Sequence, residues 1–205
     1  IREKKMKKMK LEDTSGEIIF SHTCIDNTYK KTVVEAVKKG IDLRNLELRD
    51  ADLSNIKLRD VDLTGTNLSG TDLSGADLRK VNLTDSTLYD VDLTGSDLSH
   101  AILTKADLRY AILYDVNLKG ADLSHAILTN ANLRYAILTK ANLSHAILIN
   151  ADLYNVNLSG ADLSHAILTN ANLRYAILTK ANLSHAILRY ANLDNAKINL
   201  TSHNI

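Results

Sequence analysis

An all-β solenoid, led into by a short hairpin and one helix, is the fold class this sequence predicts. Three observations carry the prediction. From Leu43 to Leu193 every fifth residue is leucine without a break, and Ile198 continues the frame. Two residues before almost every leucine stands a small or β-branched residue, such as Ala51, Val61, Thr71, Ala76, Val81 or Ser86, and mostly alanine from Ala101 onward. The segment 121–148, ADLSHAILTNANLRYAILTKANLSHAIL, returns letter for letter at 161–188.

A period of five matches neither the 3.6-residue helix nor the alternation of a straight strand. A five-residue side ending in a turn does let its leucine and its alanine point inward at every repeat. Four such sides close one coil, although the periodicity alone allows other polygons. Stacked coils then pair backbone to backbone about 4.8 Å apart, each repeat touching only its neighbours. The long internal copy is two coils duplicated together.

The consensus A-(D/N/I)-L-x-x resembles the pentapeptide-repeat family, A(D/N)LXX, across residues 41–200, about four-fifths of the chain. The resemblance implies a right-handed quadrilateral β-helix of about eight 20-residue coils. Members of that family that inhibit or protect DNA gyrase resemble B-form DNA in width and negative charge. Those members are dimers joined through their carboxyl ends, which makes a homodimer through the last coil an expectation here.

Taken in order, residues 1–10 are a basic run expected to be a flexible tail. Residues 11–40 are expected to form a capping unit. KMKLEDTSGEIIFSHT reads as a hairpin turning at Asp13–Gly16. DNTYKKTVVEAVKKG reads as a helix capped by Asp26 or Asn27, with Tyr29, Val33 and Val37 on one face and an end at Lys38–Lys39–Gly40. That apolar face is expected to plug the first coil, since an open edge of paired strands invites aggregation. This lead-in loosely resembles that of phage and bacterial members. Residues 41–200 are the solenoid, and 201–205 a carboxyl tail with no helix to close the last coil.

Composition narrows the function classes. The formal net charge is +1, there is no Pro or Trp, and Phe occurs once. That balance offers no global attraction for nucleic acid, so direct nucleic-acid binding is not expected. Cys24 is the only cysteine, which fits a reducing compartment. No apolar run reaches membrane-spanning length, and no apolar segment follows the basic start as a signal peptide requires. The expected setting is cytoplasmic, or virion-associated for a phage protein. Charge is uneven along the repeats: between Gly40 and His100 twelve acids face six bases, a balance of −6, while beyond His100 the balance is +3.

Since a coil takes four repeats, positions such as 125, 145 and 165 fall in one column, and surface chemistry is read column by column. Ile127, Ile147, Ile167 and Ile187 replace Asp or Asn and form an apolar stripe, a type of surface that marks contact sites but also one that a β-face tolerates. Tyr114, Tyr135, Tyr154 and Tyr175 alternate between corner positions with Arg134 and Arg174 among them, residue types enriched at binding hot spots. Asn130, Asn150 and Asn170 form an amide ladder that is structural. His125, His145, His165 and His185 form another ladder, each after a serine. A tetrahedral zinc site needs converging ligands, whereas a straight ladder diverges, so no metal or other cofactor is assigned. Asp52, Asp62, Asp72, Asp77, Asp92 and Asp97 make up a candidate acidic patch.

No catalytic constellation appears: the Ser–His pairs are adjacent residues of an extended segment and point apart, no phosphate loop is present, and a leucine-filled interior leaves no cleft. The reading favoured is a rigid rod presenting ladders of side chains to a protein partner. The alternative is a DNA mimic that binds gyrase or topoisomerase through the early acidic coils, against which stands the basic carboxyl half.

Overall fold

The destinations of five backbone amides explain the architecture. The computed structural model describes residues 6–25 and 28–199, and residues 121–125 show one side of it. Ala121 and Leu123 point inward and are buried, Asp122 and Ser124 are half-buried, and His125 is exposed at the corner. The Ala126 amide donates to the Leu123 carbonyl (3.0 Å), closing the turn. Leu123 and His125 donate to Asn142 (2.7 Å) and Ser144 (3.0 Å) of the next coil, and Asp122 to Ala101 (2.9 Å) of the preceding one. The remaining amide, on Ser124, donates to the Asp122 carboxylate at 3.0 Å. All five donors are then satisfied, and the fifth is satisfied only because Asp or Asn stands before the leucine.

Repetition of that scheme builds the rod. Parallel bridges join the residue before each leucine to its counterpart one coil on, from Glu47–Asn67 to Ile177–Lys197. Leu123 and Leu143 lie one above the other on the same wall, both fully buried, as four sides per coil require. The second corner residue is left-handed throughout, with φ between 54° and 63° at non-glycine positions. Glycine adopts that conformation without a Cβ penalty, and Gly65 adds a second reason for its presence. A Cβ there would lie 2.2 Å from Asn45 Oδ1, which leans over it.

The interior is leucine and alanine, and small hydroxylic residues enter it only with a partner. Thr71 donates to the Leu48 carbonyl (2.8 Å) and Ser86 to that of Leu63 (2.9 Å), so these buried hydroxyls carry no unsatisfied polar atom.

Ahead of the coils, β1 (Met6–Glu12) and β2 (Ile18–Ile25) pair antiparallel. The Asp13 carboxylate accepts the amides of Ser15 and Glu17, both at 2.9 Å, and shapes the expected turn. Strand β1 starts inside the basic run, so Met6–Lys10 is paired strand and not the flexible tail that the composition suggested. The hairpin joins the first coil through Thr14 N–H to Asn45 O (2.7 Å) and Glu47 N–H to Glu12 O (2.9 Å).

Helix α1 (Tyr29–Lys38) is capped by the Thr28 hydroxyl, which accepts from Lys31 N. This corrects the expected cap at Asp26 or Asn27, residues that lie outside those described. Its buried residues are Thr32, Val33 and Ala36. Tyr29 is exposed, so the expected face is rotated toward Ala36, which fits against the coils where a tyrosine ring would not. Val33 and Ala36 belong to one apolar cluster with Leu11 of the hairpin and Leu43 and Leu46 of the first coil. Gly40 (φ 65°) ends the helix, its amide reaching Val37 O (3.0 Å) while Ile41 N–H reaches Ala36 O (3.1 Å), the paired bonds of a glycine-terminated helix.

Among the described residues, nothing covers the other end of the stack. Leu183, Leu188, Leu193 and Ile198 are only partly buried, and the amides of Leu188, Tyr190, Leu193 and Asn195 have no partner among the described residues. The expected tail 201–205 lies outside them.

Candidate interaction surface

One side of the rod, over the three coils that carry residues 125–130, 145–150 and 165–170, has no Lys, Arg, Asp or Glu. Its columns are His125–His145–His165–His185, Ile127–Ile147–Ile167–Ile187, Thr129–Ile149–Thr169 and Asn130–Asn150–Asn170. The strip is bounded by ion-paired Asp107–Arg109 (2.6 Å) at one end and Arg189 at the other. Successive isoleucines are direct bridge partners. Ile127, Ile147 and Ile167 are therefore half-buried by one another, while Ile187 at the end of the column is 49% exposed. Isolated Ile102, Ile112 and Ile137, which lack such neighbours, are exposed on other sides.

The isoleucine column has a cost that columns of Asp and Asn avoid. With no side-chain acceptor before the leucine, the turn amides of Thr129, Ile149, Thr169 and Arg189 have no partner among the described residues, whereas those of Ser124, Ser144, Ser164 and Ser184 all do. A hydrogen bond of that kind contributes about 0.5–1.5 kcal/mol.

The ladders on either border are ordered. Asn150 donates to Asn130, and Asn170 to Asn150, each at 3.2 Å. The imidazoles stack at 4.8, 4.7 and 4.8 Å between centroids, with interplanar angles of 3°, 1° and 18°. Among the described residues, no three metal-ligating side chains converge on one point.

The Tyr–Arg column on the neighbouring side packs largely on itself, although the Arg134 Nε is buried with no hydrogen-bond partner among the described residues. Tyr114, Tyr135, Tyr154 and Tyr175 pack edge to face at 5.4, 5.8 and 5.5 Å. The Arg134 guanidinium lies 5.0 Å from the Tyr154 ring centre and 3.7 Å from Asp152, and Arg174 lies 5.7 Å from the Tyr175 ring. Sequence reasoning missed a second cluster of this type, Tyr89–Tyr110 with Arg109 over Tyr89. Its signal was present, since the numbers of Tyr89 and Arg109 place them one coil apart in the same column.

The six candidate acidic residues do not form one patch. Asp52, Asp72 and Asp92 share a column, Asp77 and Asp97 lie on the next side, and Asp62 on a third. Most serve their own turns: Asp52, Asp62, Asp72, Asp92 and Asp97 accept the amides of Ser54, Thr64, Ser74, Thr94 and Ser99. Asp77 pairs with Arg79 at 2.6 Å. Hydrogen bonding to the Arg44 side chain lowers the Asp42 carboxyl to about 2. The Arg79 and Arg109 side chains lower Asp77 and Asp107 in the same way, since bonds to the ionised form favour it.

A hollow of about 490 Å³ between β2 and α1 is lined by His22, Cys24, Lys30, Lys31, Val34 and Glu35. Among the described residues no helix is long and apolar enough to cross a membrane.

Stacked parallel coils, a leucine-filled axis and columns of identical surface residues define a β-solenoid repeat protein. The chain belongs to the pentapeptide-repeat family: the model for pentapeptide repeats matches eight copies across residues 47–85, 86–124, 126–164 and 166–202. Among solved structures it is similar to HetL, a pentapeptide repeat protein involved in heterocyst differentiation regulation from the cyanobacterium Nostoc. Identity is 31%, covering 82% of this chain and 93% of that one, with a TM-score of 0.34. It is also similar to alr5209, another Nostoc pentapeptide repeat protein (32% identity, 60% and 88% covered, TM-score 0.41). A third likeness is to QnrB1, a plasmid-mediated fluoroquinolone resistance protein (18% identity, 78% of each chain, TM-score 0.44). Curated proteins give no match.

Proposed function

We propose that this protein is a non-enzymatic interaction module: a right-handed rod of about eight coils, covered at its amino end by the hairpin and helix, that docks a protein partner on its uncharged side. The observation that carries this reading is the isoleucine column. Four successive coils there forgo the turn-capping Asp or Asn and leave their turn amides without a partner among the described residues, in exchange for a continuous apolar rail flanked by neutral polar ladders. Apolar centre and polar rim are the anatomy of protein interfaces. The last coils, uncovered among the described residues, support a second contact, a two-fold pairing that would satisfy the amides of Leu188 and Leu193.

Benzoylphenylalanine at Ile147, compared with the same residue at Asn157 on the opposite side, tests the docking reading in extract. A crosslinked partner at Ile147 alone is expected, and one abolished by Ile167→Asp. Equal labelling from both positions counts against it. The gyrase-binding alternative draws on the aspartate columns of the early coils. Supercoiling assays decide it, with topoisomerase inhibition at sub-micromolar protein as the result in its favour.

A further inference from the structure

We propose that the His125–His145–His165–His185 ladder binds late first-row divalent transition ions, Cu²⁺ most tightly, with two imidazoles to each ion. The four side chains are exposed and in register, 4.8, 4.7 and 4.8 Å apart. The columns beside them, serine at 124, 144, 164 and 184 and isoleucine at 127, 147, 167 and 187, bring neither a competing ammonium nor a carboxylate to these rungs. Lys105 ends the column one rung before His125. Imidazole is a ligand that copper, nickel and zinc accept, and affinity along that series peaks at copper.

Geometry sets the stoichiometry. Metal–nitrogen bonds of about 2.0–2.1 Å place two adjacent donors about 3 Å apart, so stacked neighbours must close by about 0.9 Å each and also rotate out of their parallel stack until their in-plane lone pairs converge on the ion. Exposed side chains permit that, and the 18° between His165 and His185 shows the ladder already tilting at its end. Rings two rungs apart, at about 9.6 Å, cannot share an ion. Since no three ligands converge among the described residues, water completes the coordination. The ladder thus divides into His125 with His145 and His165 with His185, a capacity of two ions. A four-ligand zinc centre is not what it builds.

Cu²⁺ alone, added to the full chain at neutral pH and followed by equilibrium dialysis and electron paramagnetic resonance, tests this. The background is a variant with all four changed to Asn, which suits the left-handed corner. Two ions per wild-type chain above that background are expected, each showing two nitrogen donors. His145→Asn should retain one ion, and His145→Asn with His165→Asn none. His125→Asn, at the ladder's edge, should also retain one, and it serves if the inner variants do not fold. Uptake unchanged by either His125→Asn or the double substitution, or four ions each with one nitrogen donor, overturns the proposal. None of these readouts depends on the docking surface.

Discussion

Replacing Ile147 with Asn separates the two roles a surface isoleucine can have. The substitution gives the unpaired Ile149 amide an acceptor of the kind Ser144 already has in Asn142, at 3.0 Å. That contributes about 0.5–1.5 kcal/mol. It removes two ladder contacts, with Ile127 and Ile167, each worth roughly 0.2–1 kcal/mol. The two effects largely offset, and folding stability should change by no more than about 1.5 kcal/mol while partner capture is lost. Urea denaturation followed by circular dichroism, beside the crosslinking assay, reads both. A destabilisation beyond about 2 kcal/mol would show that the column exists to hold coils together, and the argument from its missing caps would fail.

Ala146→Phe should overpack a middle coil, where Ala146 is fully buried, and lower stability by at least about 1–3 kcal/mol. Gly65→Ala, forcing a Cβ toward Asn45 at a φ of 69°, should cost at least about 1 kcal/mol, with Asn45→Gly in the same chain recovering part of it. Leu148→Ala is expected to cost about 2–5 kcal/mol and Leu188→Ala distinctly less, since Leu188 is only partly covered; equal losses would contradict that partial cover. The acid limit follows from carboxyls held below their ordinary value of about 3.9. A depressed folded value stabilises above the unfolded one and is lost as pH falls through the folded one. Melting temperature should therefore hold down to about pH 4, and fall toward pH 2 as Asp42, Asp77 and Asp107 take up protons. The fall should be shallower in Asp107→Asn. Light scattering should give a dimer mass that Leu193→Arg reduces to the monomer.

The lead-in shows where local signals mislead. Asp26 and Asn27 are better caps by residue type, yet Thr28 holds the position, because the helix is set by which residues fit against the first coil. The basic run at Met6–Lys10 has the composition of a tail, but Leu11 anchors the strand in the core and Phe20 pairs with it. The acidic patch failed for a simpler reason. Residues 52, 72 and 92 share a column by arithmetic, 77 and 97 share another, and 62 belongs to neither.

By itself, the sequence determined the period of five; the four-sided coil came from the family resemblance, and the columns follow from the two together. With a strict period of five and four sides to a turn, a residue's number states which wall it stands on and which residues lie above and below, and the His, Ile and Asn ladders were legible from that alone. What each side chain does there was decided by tertiary structure. Asp and Asn beside the leucine are turn acceptors, the tyrosines and arginines occupy one another, and the isoleucines leave amides unpaired among the described residues. Those facts depend on directions and distances of hydrogen bonds within about 3 Å, which a periodicity does not carry.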